Sequence, residues 1–283
     1  MRKVAVVTGS NKGIGYAIVR GLCKQFAGDV ILTARNEERG IDAVSSLEKE
    51  GLYPKFHQLD IEDQKSIDQL KDFLDQNYGG LDILVNNAGI SFRDDITVPF
   101  KDQARVTLNI NYTGTVAVLK TMMPILNSGA RVVNMSSALG SVVFRESSAA
   151  MQKKICDCTC LDDVTDLMSN FVQAAKNNTH DKEGWPSSAY GVSKIGISAL
   201  SSILQKTFDA DNGHSDVVIN ACCPGFVVTD LTKQTGIKTI DEGADTPLYL
   251  ALLPANVAEP KGQFVADRRV EDWKTYVYAH LDS

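Results

Sequence analysis

Eight residues constrain this chain more than any others. "TGSNKGIG", residues 8–15, lies between the apolar run "KVAVV" and a stretch in which Ile14, Ala17, Ile18 and Leu22 recur at helical spacing. Gly9, Gly13 and Gly15 stand at this junction of a strand and a helix. Glycine lets the backbone turn sharply and come close to a pyrophosphate, and the helix N-terminus adds N–H donors and a positive dipole end. A glycine pattern alone is weak. A strand before it and a helix after it are the context it requires, and both are expected here.

The rest of the chain keeps the alternation. Strand candidates fall at 3–9, 29–34, 55–60, 81–89, 130–137 and 217–225, with a short seventh at 262–265. Helical spacing fills the intervals, at about 14–26, 36–50, 63–77 and a long stretch from about 101 to 126. VAVV, VILT, DILV and VVIN are apolar at consecutive positions, as parallel strands covered on both faces should be. The expected fold is α/β: a Rossmann-type doubly wound, mostly parallel seven-stranded sheet. No repeat or linker divides the 283 residues, so a single domain over 1–283 is expected. Residues 141–186 break the rhythm. Leu161, Val164, Leu167, Met168, Phe171, Val172 and Ala175 fall at helical intervals there, which predicts an inserted pair of amphipathic helices.

The net charge of −6 argues against a nucleic-acid or anionic-membrane partner, since both need a basic face. No apolar run approaches the length of a membrane span. The six cysteines are too unevenly spread for a disulfide framework, and the expected compartment is the cytosol. "CDCTC" (156–160) lacks the usual zinc-ligand spacing and has no histidine close by, so no metal is expected. Cys222 and Cys223 lie near the expected ligand edge, as small packing residues or as reactive thiols. His57, His180, His214 and His280 sit outside every motif and are given no role.

The second strand ends "TAR", with Arg35 where an acidic residue would bind the ribose 2′-hydroxyl of NAD. Arg35 and Lys12 instead suit the 2′-phosphate of NADP. The alternative is that Arg35 caps the second helix or pairs on the surface with Glu37 or Glu38. Asp60 ends the third strand, where it could receive the adenine amino group. "NNAG" (86–89) ends the fourth, at the carboxyl edge where such sheets bind ligands.

Tyr190 and Lys194 in "SSAYGVSK" lie four apart and share a helix face. Tyrosine has a pKa of about 10, and bringing it to neutrality takes roughly 4 kcal/mol. A cation at about 4 Å contributes a similar amount at an effective dielectric of about 20. Lys194 is therefore expected to lower Tyr190, which would let the tyrosine serve as a general acid.

Taken in order, TGSNKGIG, Asp60, NNAG, Asn111, "NMSS" (134–137), Tyr190-x-x-x-Lys194 and "PGFVVTD" (224–230) resemble the short-chain dehydrogenase/reductase family. "KEGWPSSAYGVSKIG", "NACCPG", "LYLALLP" and the long insert resemble, more narrowly, its monomeric NADPH-dependent carbonyl reductases. The resemblance implies reduction of ketones, aldehydes and quinones with NADPH/NADP+. It implies that Ser137, the second of the serine pair, steadies the carbonyl oxygen. Lys194 would also bind the nicotinamide ribose, and Asn111 would hold a water that relays protons to Lys194.

The implied cofactor contacts are Gly9, Asn11, Lys12, Gly13, Ile14 and Gly15 in the turn, Arg35, Asp60, Ile61, Asn87, Ala88 and Gly89 at the strand ends, Tyr190 and Lys194, and Pro224, Gly225, Val227 and Thr229. The substrate wall is expected from Phe92, Gln103, Ser137, Ala138, Leu139, Trp185, Tyr190 and Phe226, and a substrate loop at about 229–240. They are mostly apolar or aromatic, as a flat hydrophobic carbonyl compound requires. Phe226 departs from the tryptophan those reductases tend to carry. In typical members the tyrosine helix packs on a partner subunit. Residues 141–186 would cover that surface, so a monomer is expected. Two rivals remain: a hydroxysteroid or prostaglandin dehydrogenase of narrow specificity, and a non-catalytic NADP-sensing protein. Loss of Tyr190, Lys194 or Ser137 would mark the second; all three are present.

Overall fold

A computed structural model describes residues 2–92, 97–210 and 215–278. His214 and His280 lie outside them. In chain order the elements are β1 (Val4–Val7), α1 (Gly13–Gln25), β2 (Asp29–Ala34), α2 (Glu37–Lys49), β3 (Lys55–Gln58), α3 (Gln64–Tyr78) and β4 (Leu81–Asn86). Then come α4 (Phe100–Leu108), a π-helical segment (Asn109–Gly114), α5 (Thr115–Met122), β5 (Leu126–Met135), α6 (Ala138–Glu146), α7 (Ala149–Cys156) and α8 (Leu161–Lys176). The rest are α9 (Ala189–Ala210), β6 (Val218–Cys223), α10 (Ile240–Ala251), β7 (Phe264–Ala266) and β8 (Arg269–Glu271). The sheet order is β3-β2-β1-β4-β5-β6-β7-β8, and only β8 runs antiparallel to its neighbour.

The consecutive apolar residues of the central strands divide between two cores. Val4, Val6, Ile31, Leu84, Val132 and Ile219 pack with residues of α3, α4, α5, α8 and α9. Their neighbours Ala5, Val7, Leu32, Ile83, Val133 and Val218 pack with α1, α2 and α10. Successive side chains of a strand point to opposite faces, so a sheet covered on both sides needs apolar residues at every position.

Three expectations need correction. The sheet has eight strands, not seven: β7 and β8 form a hairpin through Asp267 and Arg268, both left-handed (φ 48° and 60°). That turn carries no glycine or asparagine, the residues that usually announce it. The stretch from 101 to 126 is not one helix, because the π segment interrupts it and a 3-10 turn ends it. The insert starts later than residue 141: a short helix, α6, follows β5 first, and the inserted pair is α7 and α8 with the turn to α9.

Candidate active site

The strand order reverses between β1 and β4, and the loops leaving their carboxyl ends meet there. Gly9 and Gly13 both have φ +60°, which closes the first turn. A Cβ at Gly15 would lie 2.5 Å from Asn87 Nδ2. Asn87 Nδ2 donates to the carbonyls of Thr8 and Gly9, each at 3.0 Å. The Thr8 hydroxyl accepts from the N–H groups of Asn87 (2.9 Å) and Ala88 (3.0 Å). The glycine turn and NNAG are thus one hydrogen-bonded unit. Among the described residues the N-terminus of α1 has no side-chain cap and no acidic residue in its first turn, as an anion at its N–H donors requires. This cradle fits a dinucleotide pyrophosphate.

The PGFVVTD segment closes over it. The Cβ position of Gly13 lies 3.5 Å from Thr229 Cγ2, and Lys12 Nζ lies 2.5 Å from Asp230 Oδ2. Val227 bridges to Lys238, and the Val228 N–H donates to the Lys238 carbonyl at 2.8 Å, so the expected substrate loop is pinned at both ends. At the other end of the cradle, Arg35 is exposed and Gln58 Nε2 donates to its carbonyl at 2.8 Å. Among the described residues no ion pair ties Arg35 to Glu37 or Glu38. Asp60 follows β3 at the same corner, its Oδ1 accepting from the Glu62 N–H at 3.0 Å.

Ser137 follows β5 and caps α6, its hydroxyl accepting from the Leu139 N–H at 3.2 Å. Tyr190 and Lys194 occupy the first two turns of α9. The phenol of Tyr190 is within hydrogen-bonding reach of the Ser137 hydroxyl. Lys194 is 6% exposed; its Nζ donates to the Met135 carbonyl at 2.7 Å and lies 5.3 Å from the centre of the Tyr190 ring. Ser136, 2% exposed, turns the other way, with its Oγ donating to the Lys194 carbonyl (3.1 Å) and 2.7 Å from Ser198 Oγ. It is a packing residue, and Ser137 is the serine beside the tyrosine.

Burial pushes Lys194 down to about 8, against the pull of Cys222 and Cys223. Burial pushes Tyr190 up, helped by Cys223 and opposed by the hydrogen bond from Ser137. This reverses the lowering expected from Lys194. The ammonium lies over the ring face and is engaged by Met135, while burial acts on the phenol itself. The phenol therefore holds its proton at neutral pH.

Asn111 lies in the π segment and is 1% exposed. Its Oδ1 accepts from the Ile90 N–H (2.8 Å), and its Nδ2 donates to the Ile90 carbonyl (2.9 Å) and to Ser193 Oγ (3.1 Å). One side chain thereby ties the loop after NNAG, the π segment and α9 together.

The short chain dehydrogenase profile matches residues 3–149. The chain belongs to the short-chain dehydrogenase family. This dehydrogenase is 51% identical over 272 residues to the NADPH carbonyl reductase 3 of Mus musculus, covering 96% of this chain and 98% of that one. It is 49% identical over 271 residues to the NADPH carbonyl reductase 1 of Homo sapiens, covering 95% and 98%. Among solved structures it is similar to salutaridine reductase from Papaver somniferum, with a TM-score of 0.83 and 28% identity over 93% of this chain and 99% of that one.

Not every expected residue of the dehydrogenase reaches the site. Trp185 is 1% exposed and packs edge-on against Phe171 of α8, at 5.4 Å and 67°. It anchors the insert and does not form a substrate wall, because its large apolar surface is satisfied between α8 and α9. Ala138 is buried with Cys223, Phe264, Ala266 and Tyr278, which leaves it behind the wall. Both the side chain and the backbone carbonyl of Ile61 pack on Gly114, each 3.0 Å from its Cβ position. Gln103 Nε2 donates to the Val98 carbonyl at 2.8 Å. Asn11, Ile14, Gly89, Phe92, Leu139, Pro224, Gly225 and Phe226 are half-buried.

Sequence reasoning missed three supports. Tyr278 accepts from the Phe226 N–H at 3.3 Å, and Cys223 Sγ accepts from the N–H groups of Ala138 (3.3 Å) and Gly225 (3.4 Å). Ser193 is the third. The aromatic tail "WKTYVY" (273–278) was the available signal for the first. Among the described residues no group of three or more His, Cys, Asp or Glu side chains could hold a metal ion, and no helix is long and apolar enough to cross a membrane.

Proposed function

We infer that this dehydrogenase reduces carbonyl compounds (ketones, aldehydes and quinones) to alcohols with NADPH. The observation that carries the reading is the meeting of Ser137, Tyr190 and Lys194 beside an uncapped glycine turn. Relatives 51% and 49% identical bear the name of that activity, which supports it. The turn residues, Asn87, Ala88, Gly89 and the 224–229 segment would hold the cofactor, with Arg35 and Lys12 at its 2′-phosphate. When bound, the reduced nicotinamide supplies a hydride to the carbonyl carbon.

The chain's own residues manage the proton and the charge. Ser137 donates a hydrogen bond to the carbonyl oxygen and holds it against Tyr190. The negative charge that develops on that oxygen takes the phenolic proton. Lys194, cationic and buried, stabilises the phenolate left behind and binds the nicotinamide ribose. Both Nδ2 protons of Asn111 are committed, so a relay water would be held by its oxygen atoms. The half-buried Phe92, Leu139 and Phe226 form an apolar face for the substrate. The protein acts as a single-domain monomer of the cytosol, with a small-molecule carbonyl partner.

The test is to mix the protein with NADPH and a panel of quinones, aromatic ketones and steroids, and to follow nicotinamide absorbance. Oxidation across the panel is expected. No oxidation with any member would overturn the reading, and turnover confined to one steroid would replace it with a narrow dehydrogenase.

A further inference from the structure

Ser193 lies inside SSAYGVSK but has been given no part in the reaction, yet its side chain is completely buried between the two residues that carry the chemistry. Its hydroxyl donates to the carbonyl of Tyr190 at 2.7 Å. With its single proton so committed, Ser193 Oγ meets Asn111 Nδ2 as an acceptor, at 3.1 Å. The Asn111 amide cannot flip without placing its oxygen against an oxygen that has no proton to give. Its remaining groups make the paired bonds to the N–H and carbonyl of Ile90.

The surroundings make this bond matter. A π-helical turn carries one residue more than the α-helix on either side, and such turns are often found at functional sites. Nothing in helical periodicity fixes how the extra residue sits. Here α9 approaches so closely that a Cβ at Gly196 would lie 2.7 Å from Tyr112 Cδ2, one residue along the π segment from Asn111. The seam is tight, and the Ser193–Asn111 hydrogen bond sets the register of the π segment against α9. On the opposite side, the Cβ position of Gly89 lies 3.1 Å from Asn111 Oδ1, so that same register reaches the end of NNAG.

We propose that Ser193 is a positioning residue for the reduction: through Asn111 it fixes the π segment and the Ile90 loop relative to Tyr190 and Lys194. It touches neither substrate nor cofactor, so its loss should act on turnover and spare cofactor affinity. The inference rests on the reductase reading, and the wild-type protein must first turn over a quinone with NADPH.

A matched control exists eight residues further along α9. Ser201 donates to the Ile197 carbonyl at 2.8 Å and accepts from Asn134 Nδ2 at 2.9 Å, the same buried chemistry away from the Tyr190–Lys194 turns. Ser193→Ala and Ser201→Ala each strand one amide proton. The expected result is a fall in kcat of about ten-fold for Ser193→Ala, with NADPH dissociation constant and KM within about two-fold of wild type. Ser193→Thr, which keeps the hydroxyl, should recover most of the loss. Ser201→Ala should lower the melting temperature while leaving kcat within about two-fold. A Ser193→Ala kcat no lower than that of Ser201→Ala, or an equal loss of NADPH binding, would overturn the inference. Absence of wild-type turnover would instead remove the reductase reading itself.

Discussion

Lys194 is a cation that the fold holds away from water, and this should be measurable in stability. Its pKa falls from 10.5 to about 8, chiefly through burial. Between those values the unfolded chain binds more protons at this residue than the folded one. The lysine's contribution to stability is therefore present above pH 10.5 and is lost as the pH falls through 8. At neutral pH the buried charge costs about 3 kcal/mol. Lys194→Met should be more stable than wild type at pH 7, by a few kcal/mol at most, with the gap closing towards pH 10. Urea midpoints of the two proteins across that range check this. The spacing of Tyr190 and Lys194 was legible in the sequence. The direction of the electrostatics was not, because it depends on where Nζ points and how much water reaches the phenol. Orientation separates the two serines: the Ser137 hydroxyl lies by Tyr190, and that of Ser136 is taken up by Ser198 and the Lys194 carbonyl.

At the scale of elements, the glycine turn was readable because its chemistry is local. Strand, turn and helix follow within a few residues, and each glycine answers a steric demand. Gly15→Ala would place a methyl 2.5 Å from Asn87 Nδ2 and 2.9 Å from the Gly9 carbonyl. It should weaken NADPH binding more than ten-fold, an estimate of about 1.4 kcal/mol or more. Fluorescence titration with NADPH checks it, and an unchanged affinity would mean the turn does not hold the cofactor. The π segment was not readable. An extra residue in a helix leaves the apolar spacing on both sides intact, and its cause is the tertiary seam with α9. The β7–β8 hairpin was hidden in the same way, since two left-handed residues without glycine give no local signal. Trp185 was misplaced because an aromatic residue near a catalytic tyrosine reads as a wall, whereas Phe171 of α8 claims it.

On the scale of the whole molecule, the insert accounts for the long chain between Ser137 and Tyr190. Helix α8 packs on α4 and α9, with Phe171 against Phe100 at 6.2 Å, Met168 beside Gly196, and the Tyr112 hydroxyl 3.1 Å from Thr165 Oγ1. It thus covers α9, the helix that was expected to meet a partner subunit. Light scattering at micromolar concentration should give one chain of 30.8 kDa, and a stable dimer or tetramer would contradict the monomer. In the proposed reaction Tyr190 protonates a carbonyl that has taken a hydride from NADPH. Its most direct test uses NADPH carrying deuterium at the transferable position, a ketone substrate, and mass spectrometry of the alcohol. Wild-type protein should deliver one deuterium to the carbinol carbon, while Tyr190→Phe should bind NADPH within about two-fold and lose at least about a thousand-fold in rate. Alcohol formed without the label, or Tyr190→Phe turning over at the wild-type rate, would contradict the account.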